Sequence, residues 1–181
     1  MDPSNQLRMM VYASLFAALT AVGAFLAIPI GPVPIVLQNM FVYLAGLLMG
    51  SRWGLASVGV YLLAGACGLP VFAGGLGGIG RIVGPTGGYL IGYLPAVYVI
   101  GKISARTHPR AVYDVLAMIC ATVVLYACGV SWLKIVTGMT PAKALAVGMV
   151  PFLVGDALKI AAAAAIAKTL RPVLRIEKSR D

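Results

Sequence analysis

Residues 151–165 read PFLVGDALKIAAAAA, an almost wholly apolar run that contains one acid, Asp156, and one lysine, Lys159. Apolar runs of roughly 20 residues are typical of helices that cross a membrane. A charge at the centre of such a helix costs roughly 2.5–3.5 kcal/mol on insertion scales, so charged residues there usually face a bundle interior and mark a ligand. The stretch therefore indicates a membrane fold and a candidate site at once.

The composition of the whole chain also favours a membrane protein. Of its 181 residues 61% are hydrophobic and 10% charged, and its mean hydropathy is +0.97. Ordinary soluble domains are about 45–50% apolar and about 25% charged. We therefore predict an all-α integral membrane bundle, formed by one domain over residues 1–181. Its six transmembrane helices are expected at residues 7–28, 36–49, 53–67, 89–103, 112–136 and 144–170, the second being short for a full crossing.

The connections between these spans predict the orientation of the chain. The glycine-rich stretch Gly68–Gly88 joins helices 3 and 4, and PIGPVP at 29–34 stops the first helix. Lysine and arginine near span ends favour the cytoplasmic side. Ten of the 14 basic residues lie on the side of both termini and three on the other, with Lys159 inside a span. Both termini are therefore predicted in the cytoplasm of a multi-pass cell-membrane protein, and the glycine-rich loop faces outward.

Asp156 and Lys159 share one helix face because they stand three positions apart. They can pair with each other as a structural lock, or converge on one ligand. A buried ion pair is a poor source of stability, so the ligand interpretation is favoured. Pro151 and Gly155 could kink the helix and free backbone groups to line a cavity.

The glycine-rich loop supplies three further candidates. GLGGIG at 75–80 matches GxGxxG formally, but an apolar span precedes it and no acid follows about 20 positions on, so a dinucleotide site is rejected. Glycines allow close approach of the backbone to a ligand, which makes Gly74 and Gly75 candidates and a mobile lid plausible. Arg81 is the one charge between Arg52 and Lys102. The alternative is a flexible connector.

Two polar residues near the outer ends of helices complete the candidate ligand contacts. Gln38 is the first strongly polar side chain after the PIGPVP turn, and Tyr89 adjoins the loop. A helix-end amide is also commonplace, so the role of Gln38 stays open. Tyr93 is interpreted as an interfacial aromatic residue.

Several classes of function lack their motifs. The chain has no P-loop, GxSxG or HExxH, and its one histidine, His108, adjoins a proline in a predicted cytoplasmic loop. We expect no catalytic residue, metal or cofactor. The net charge of +9 is spread along the chain without interleaved aromatics, so no nucleic-acid partner is expected.

Small residues at four-residue spacing predict close helix packing. They are Ala13, Ala17 and Ala21 on the first span, and Gly46, Gly50 and Gly54 across the end of the second. Packing within the chain and docking of another membrane protein are about equally favoured by the pattern.

Three stretches together resemble the BioY family, the biotin-specific substrate-binding components of energy-coupling-factor (ECF) vitamin transporters. They are PIGPVPIVLQN at 29–39, GLPVFAGGLGGIGRIVGPTGGYLIGY at 68–93 and VPFLVGDALK at 150–159. The resemblance spans nearly the whole chain. It implies a six-helix protein that binds biotin from outside and is coupled to a transmembrane subunit and two ATPase subunits, with the alanine stripe as the docking face.

The resemblance also implies roles for the candidate residues. Asp156 would accept from the ureido N–H groups of biotin, Lys159 would donate to a ligand oxygen, and Arg81 would bind the carboxylate near the mouth. The opposite orientation, with Lys159 on the carboxylate, is an alternative. A component for another vitamin, or a small membrane protein that does not transport, are the rival functions.

Overall fold

The computed structural model describes residues 3–28, 32–107 and 110–174. Three predicted features lie partly outside these residues: the PIGPVP turn, the loop with His108, and the basic tail. The regular elements of the described part are helices apart from one pair of two-residue strands and one isolated bridge, which confirms the all-α prediction. Its elements are α1 (Pro3–Phe25), β1 (Ala27–Ile28), β2 (Ile35–Val36), α2 (Gln38–Ala66), α3 (Ile79–Val83), α4 (Gly87–Arg106), α5 (Ala111–Thr137), α6 (Pro141–Gly148), a 3₁₀ turn (Val150–Phe152) and α7 (Leu153–Leu174). The strands pair antiparallel.

Helix α2 is a hairpin of two antiparallel halves. Gly50 breaks it with φ 77° and ψ −173°, a conformation that glycine adopts readily. Gln38 Nε2 lies 2.5 Å from Tyr61 Oη, although 23 residues of straight helix would separate them by about 34 Å. The chain therefore reverses at Gly50, as the predicted turn at residues 50–52 requires.

Five helical segments are long and apolar enough to cross a membrane, and α2 is one of them. Because α2 folds back on itself, the described chain has six membrane segments, as predicted. The first half of α2 has 12 residues, from 38 to 49, so it is too short for a full crossing, which needs roughly 20.

The sixth segment is broken, as its proline suggested. Helix α6 ends at Gly148, the 3₁₀ turn contains Pro151, and α7 starts at Leu153. Gly155, the other expected source of a kink, lies within regular helix. The break places the buried Asp156 in the first turn of α7, where the helix dipole favours a carboxylate.

The two ends of the bundle differ, and we name them by their contents. The hairpin end holds the α2 reversal, where α4 packs so closely that a Cβ on Gly101 would overlap the backbone of Ser51. The loop end holds residues 67–86, which fold into α3 and an isolated bridge between Phe72 and Leu76. Trp132 Nε1 of α5 donates to Gly84 O of this segment at 2.9 Å.

The predicted loop boundary at Gly88 needs correction. Helix α4 begins at Gly87, two residues before the expected Tyr89. A Cβ on Gly88 would overlap Trp132, so glycine here lets the start of α4 lie directly against α5.

The small-residue stripe of α1 packs inside the chain. Ala13 is 4% exposed and Ala17 is 6% exposed; Ala21 is half-buried, and all three belong to the core shared with α2. Packing within the chain, one of the two uses that the pattern allowed, is therefore observed for Ala13 and Ala17; docking of another membrane protein by the stripe stays a prediction. The glycine repeat is also divided: Gly46 and Gly54 lie on opposite halves of α2, where a Cβ on Gly54 would come within 3.4 Å of Gly46 Cα.

Candidate ligand-binding site

A cavity of about 360 Å³ lies at the loop end, within the usual range of about 300–1,000 Å³ for small-molecule sites. Most of the residues predicted to bind a ligand line it. These are Gln38, Gly74, Arg81, Tyr89, Asp156 and Lys159, whereas Gly75 is not among the lining residues. The structure thus gathers residues from α2, the glycine-rich segment, α4 and α7.

Asp156 is the centre of a polar cluster at the base of this cavity. Its Oδ1 accepts from Asn39 Nδ2 at 2.8 Å and from Lys159 Nζ at 2.9 Å. Its Oδ2 accepts from Tyr126 Oη at 2.5 Å. Helices α2, α5 and α7 therefore meet at one carboxylate.

The geometry of the charged pair fits both interpretations made from the sequence, and a ligand role stays a prediction. Asp156 and Lys159 form an ion pair across one helix turn, each with a side chain only 7% exposed. Both also line the cavity. Since an ammonium has three N–H donors and one of them reaches Asp156, Lys159 keeps donors for a ligand.

Two of the side chains predicted to contact the ligand form hydrogen bonds within the protein. Gln38 donates through Nε2 to Tyr61 Oη at 2.5 Å and is 2% exposed. Tyr89 donates its hydroxyl to Gly148 O at 2.6 Å. The ring of Tyr89 lines the cavity, but its hydroxyl ties α4 to the end of α6.

The rim of the cavity is formed by the glycine-rich segment. Arg81 stands in the last turn of α3 and is exposed. Gly74 and Gly75 have φ of 78° and 71°, values that disfavour any side chain. Gly75 lies close to α1, since a Cβ there would be 3.2 Å from Phe25 Cε1. Glycine at this position therefore helps the loop to pack against α1.

Apolar and aromatic walls separate this rim from the polar base. Phe72, Leu125 and Phe152 line the cavity together with Tyr93. Tyr93 is 4% exposed, so its interpretation as an interfacial aromatic residue was wrong. It faces inward because α4 turns this side toward α2.

Sequence reasoning missed Asn39 and Tyr126 as members of the site. Asn39 directly follows Gln38, and an amide in an apolar segment was the available signal. Tyr126 lies inside the fifth apolar run, where nothing marks it apart from other aromatic residues. Both are identified only by their bonds to Asp156.

The arrangement suits a small molecule with three chemically distinct parts. Its base offers a carboxylate, an ammonium and an amide, its walls are apolar, and its rim carries a guanidinium. Among the described residues, no group of three or more His, Cys, Asp or Glu side chains could hold a metal ion.

Comparison with known proteins places the chain in a transporter family. The sequence model described as "BioY family" matches residues 1–176. The chain is 40% identical over 172 residues to the Biotin transporter BioY of Thermotoga maritima, covering 95% of this chain and 100% of the relative. It is 42% identical over 158 residues to the Probable biotin transporter BioY of Pyrococcus horikoshii, covering 87% and 93%.

A solved structure agrees in fold. The structure described as the S-component for biotin from an ECF-type ABC transporter superposes with a TM-score of 0.89 at 30% sequence identity, covering 95% of each chain. The helical membrane bundle is therefore shared over nearly its whole length.

Proposed function

The chain belongs to the BioY family, and on that premise we propose that it is a biotin-binding S component of an ECF-type ABC transporter. It is a multi-pass membrane protein that captures biotin and delivers it for uptake. The observation that carries this proposal is the cavity at the loop end, with its ion pair at the base and Arg81 at the rim.

Biotin presents the three parts that the cavity can receive. Its ureido ring has one carbonyl acceptor and two N–H donors, its thioether ring and alkyl chain are apolar, and its tail ends in a carboxylate. The base of the cavity matches the ureido ring, because Asp156 can accept and Lys159 can donate. The walls match the apolar body.

The exposed Arg81 favours an orientation in which the carboxylate lies at the rim. A guanidinium can bind a carboxylate through two parallel hydrogen bonds. With the ureido ring at the base, the alkyl chain then runs along Phe72 and Phe152 toward the mouth. The reverse orientation would place the carboxylate beside Asp156, where like charges repel.

The transport cycle is proposed from the family and the charge bias. Both termini lie in the cytoplasm, so the loop end faces outward and receives biotin there. The chain itself is not an enzyme; ATP is hydrolysed by two separate ATPase subunits, coupled through a transmembrane subunit. The chain has no P-loop of its own, which is consistent with this division.

The test is a thermal-shift panel of vitamins on detergent-solubilised protein. Biotin is expected to raise the unfolding midpoint, because a ligand that binds the folded state stabilises it. Thiamine and riboflavin should leave the midpoint unchanged. A shift with another vitamin and none with biotin would overturn the proposed substrate.

Site variants then test the base of the cavity. Asp156→Asn and Lys159→Ala should each weaken biotin binding about tenfold to over a hundredfold, since a hydrogen bond to a charged group is worth roughly 1.5–3 kcal/mol. Lys134→Ala is the matched control, because Lys134 is exposed and does not line this cavity. Equal affinity in all four proteins would contradict the assigned site.

A further inference from the structure

The ureido ring needs two acceptors for its two N–H groups, and Asp156 has room for about one. A carboxylate offers about four lone-pair positions. Three donors already occupy Asp156, namely Asn39 Nδ2, Lys159 Nζ and Tyr126 Oη. If biotin binds as proposed, a second protein acceptor must therefore lie at the base of the cavity.

Asn39 has an acceptor without a partner. Asn39 is 5% exposed and lines the cavity. An ionised carboxylate can only accept, so the amide must turn its nitrogen toward Asp156, as it does at 2.8 Å. The carbonyl oxygen Oδ1 is left buried, and no described residue donates to it.

The position of Asn39 beside Lys159 matches the edge of a cyclic urea. Both side chains bond to one atom, Asp156 Oδ1, at 2.8 and 2.9 Å. An acceptor-bearing amide and a donating ammonium are thus held side by side. A cyclic urea presents the complementary order, an N–H next to a carbonyl.

We propose that Asn39 Oδ1 accepts one ureido N–H of the ligand and so determines specificity for the cyclic urea. This inference rests on the proposed function and deepens it. Asp156 takes the other N–H through its remaining lone pair, and Lys159 donates to the ureido carbonyl. Gln38 is the rival acceptor, since it lines the same cavity and its Nε2 faces Tyr61.

A chemical double-mutant cycle tests the pairing. Biotin and its two derivatives methylated at one or the other ureido nitrogen are titrated into the purified full chain, Asn39→Ala and Gln38→Ala. For one derivative, the parent should lose affinity about five- to a hundredfold, because methylation leaves Asn39 Oδ1 buried and unpaired. In Asn39→Ala, the same methylation should lower affinity by less than about threefold. In Gln38→Ala, it should lower affinity by as much as in the parent.

The outcomes separate this inference from the proposed function. Failure of the parent to bind biotin rejects the proposed function itself. Normal binding with equal methylation losses in the parent and Asn39→Ala rejects the role of Asn39 alone, as does a loss that disappears in Gln38→Ala instead. Ligand-free unfolding midpoints show whether each variant is folded.

If Asn39→Ala does not fold, an experimental structure of the parent with biotin decides the matter. Asn39 Oδ1 is expected within about 3.2 Å of a ureido nitrogen, the upper limit of an ordinary N–H···O bond. A complex in which both ureido nitrogens contact other acceptors would overturn the proposal.

Discussion

Among the described residues the bundle contains two ion pairs that are largely buried, and they differ in what surrounds them. At the loop end, Asp156 and Lys159 pair within one helix and line a cavity. At the hairpin end, Arg171 of α7 binds Asp114 of α5 through two bonds of 2.6 and 2.7 Å. Neither Asp114 nor Arg171 lines the loop-end cavity.

The difference lies in what adjoins each pair: other helices at the hairpin end, and a cavity at the loop end. The Arg171 guanidinium forks onto Asp114 and also reaches Ser104 of α4 at 3.5 Å, so this pair joins three helices. The Lys159 ammonium uses one bond on its own helix and keeps two. Buried charge and an unused donor therefore do not identify a ligand site by themselves, since Arg171 Nε is also buried without a partner among the described residues; an adjacent cavity does.

The largest expected effect is on stability, at the hairpin end. Asp114→Ala leaves Arg171 largely buried without its counter-ion, and removing one partner of such a pair costs about 3–5 kcal/mol. Chemical denaturation in detergent should show this loss. The biotin affinity of the folded fraction, measured by calorimetry, should change less than about twofold.

The double variant Asp114→Leu/Arg171→Met is the control for this prediction. Replacing a buried pair by apolar residues is often neutral or stabilising, so most of the stability should return. A strong loss of biotin affinity in either folded variant would mean that the hairpin end is coupled to the cavity, and the comparison would fail.

The next largest effect is on biotin binding. It is tested with two double variants, each of which removes both charges of one ion pair. Asp156→Asn/Lys159→Gln keeps the shape of the site and removes both charges, so affinity for biotin should fall by more than about a hundredfold. Asp114→Asn/Arg171→Gln makes the same change at the other end and should bind normally. Isothermal titration of both proteins checks this, and equal losses would show that affinity follows the stability of the bundle.

A smaller effect is expected from the tyrosine that supports Asp156. Tyr126→Phe removes one donor from the carboxylate, worth about 1 kcal/mol, so biotin binding should weaken about fivefold. Tyr98→Phe is the control, because Tyr98 is 44% exposed and does not line the cavity. Tyr98→Phe should leave affinity unchanged; a loss as large as that of Tyr126→Phe would show that the effect does not depend on the bond to Asp156.

The architecture was predictable because lipid imposes strict rules on composition. Apolar runs and proline-rich turns predicted six segments, and the break at Pro151 was anticipated. The ion pair at the hairpin end was not predicted: Asp114 and Arg171 stand 57 positions apart, and no local pattern pairs them. Only the packing of α5 against α7 brings the two together.

The candidate site was predictable to the extent that its members carry unusual chemistry for a membrane helix. Asp156, Lys159 and Arg81 stand out by charge, and all three line the cavity. The alanine stripe was ambiguous because small residues indicate close packing without identifying the partner; within this chain the stripe packs against α2. Tyr126 and Asn39 are ordinary residues whose role arises from contacts distant in sequence.

The smallest expected effect sharpens the comparison by testing a charge outside both pairs. Arg81 is exposed, and exposed ion pairs are typically worth about 0.2–1 kcal/mol. Arg81→Gln should therefore weaken biotin binding by at most about fivefold at low salt. The loss should shrink at 1 M salt, where charges are screened within about 3 Å.

The uncharged carboxamide of biotin shows which cation meets the carboxylate. If Arg81 does, the parent should bind the carboxamide up to about fivefold more weakly than biotin, and Arg81→Gln should bind the two ligands equally. If Lys159 does, the difference between the ligands persists in Arg81→Gln and disappears in Lys159→Ala. That result would put the carboxylate of biotin at the base of the cavity. Lys159 would then bind this anion although the negatively charged Asp156 lies beside it. The three donors on Asp156, which offset its negative charge, are the physical condition under which such a reversal could occur.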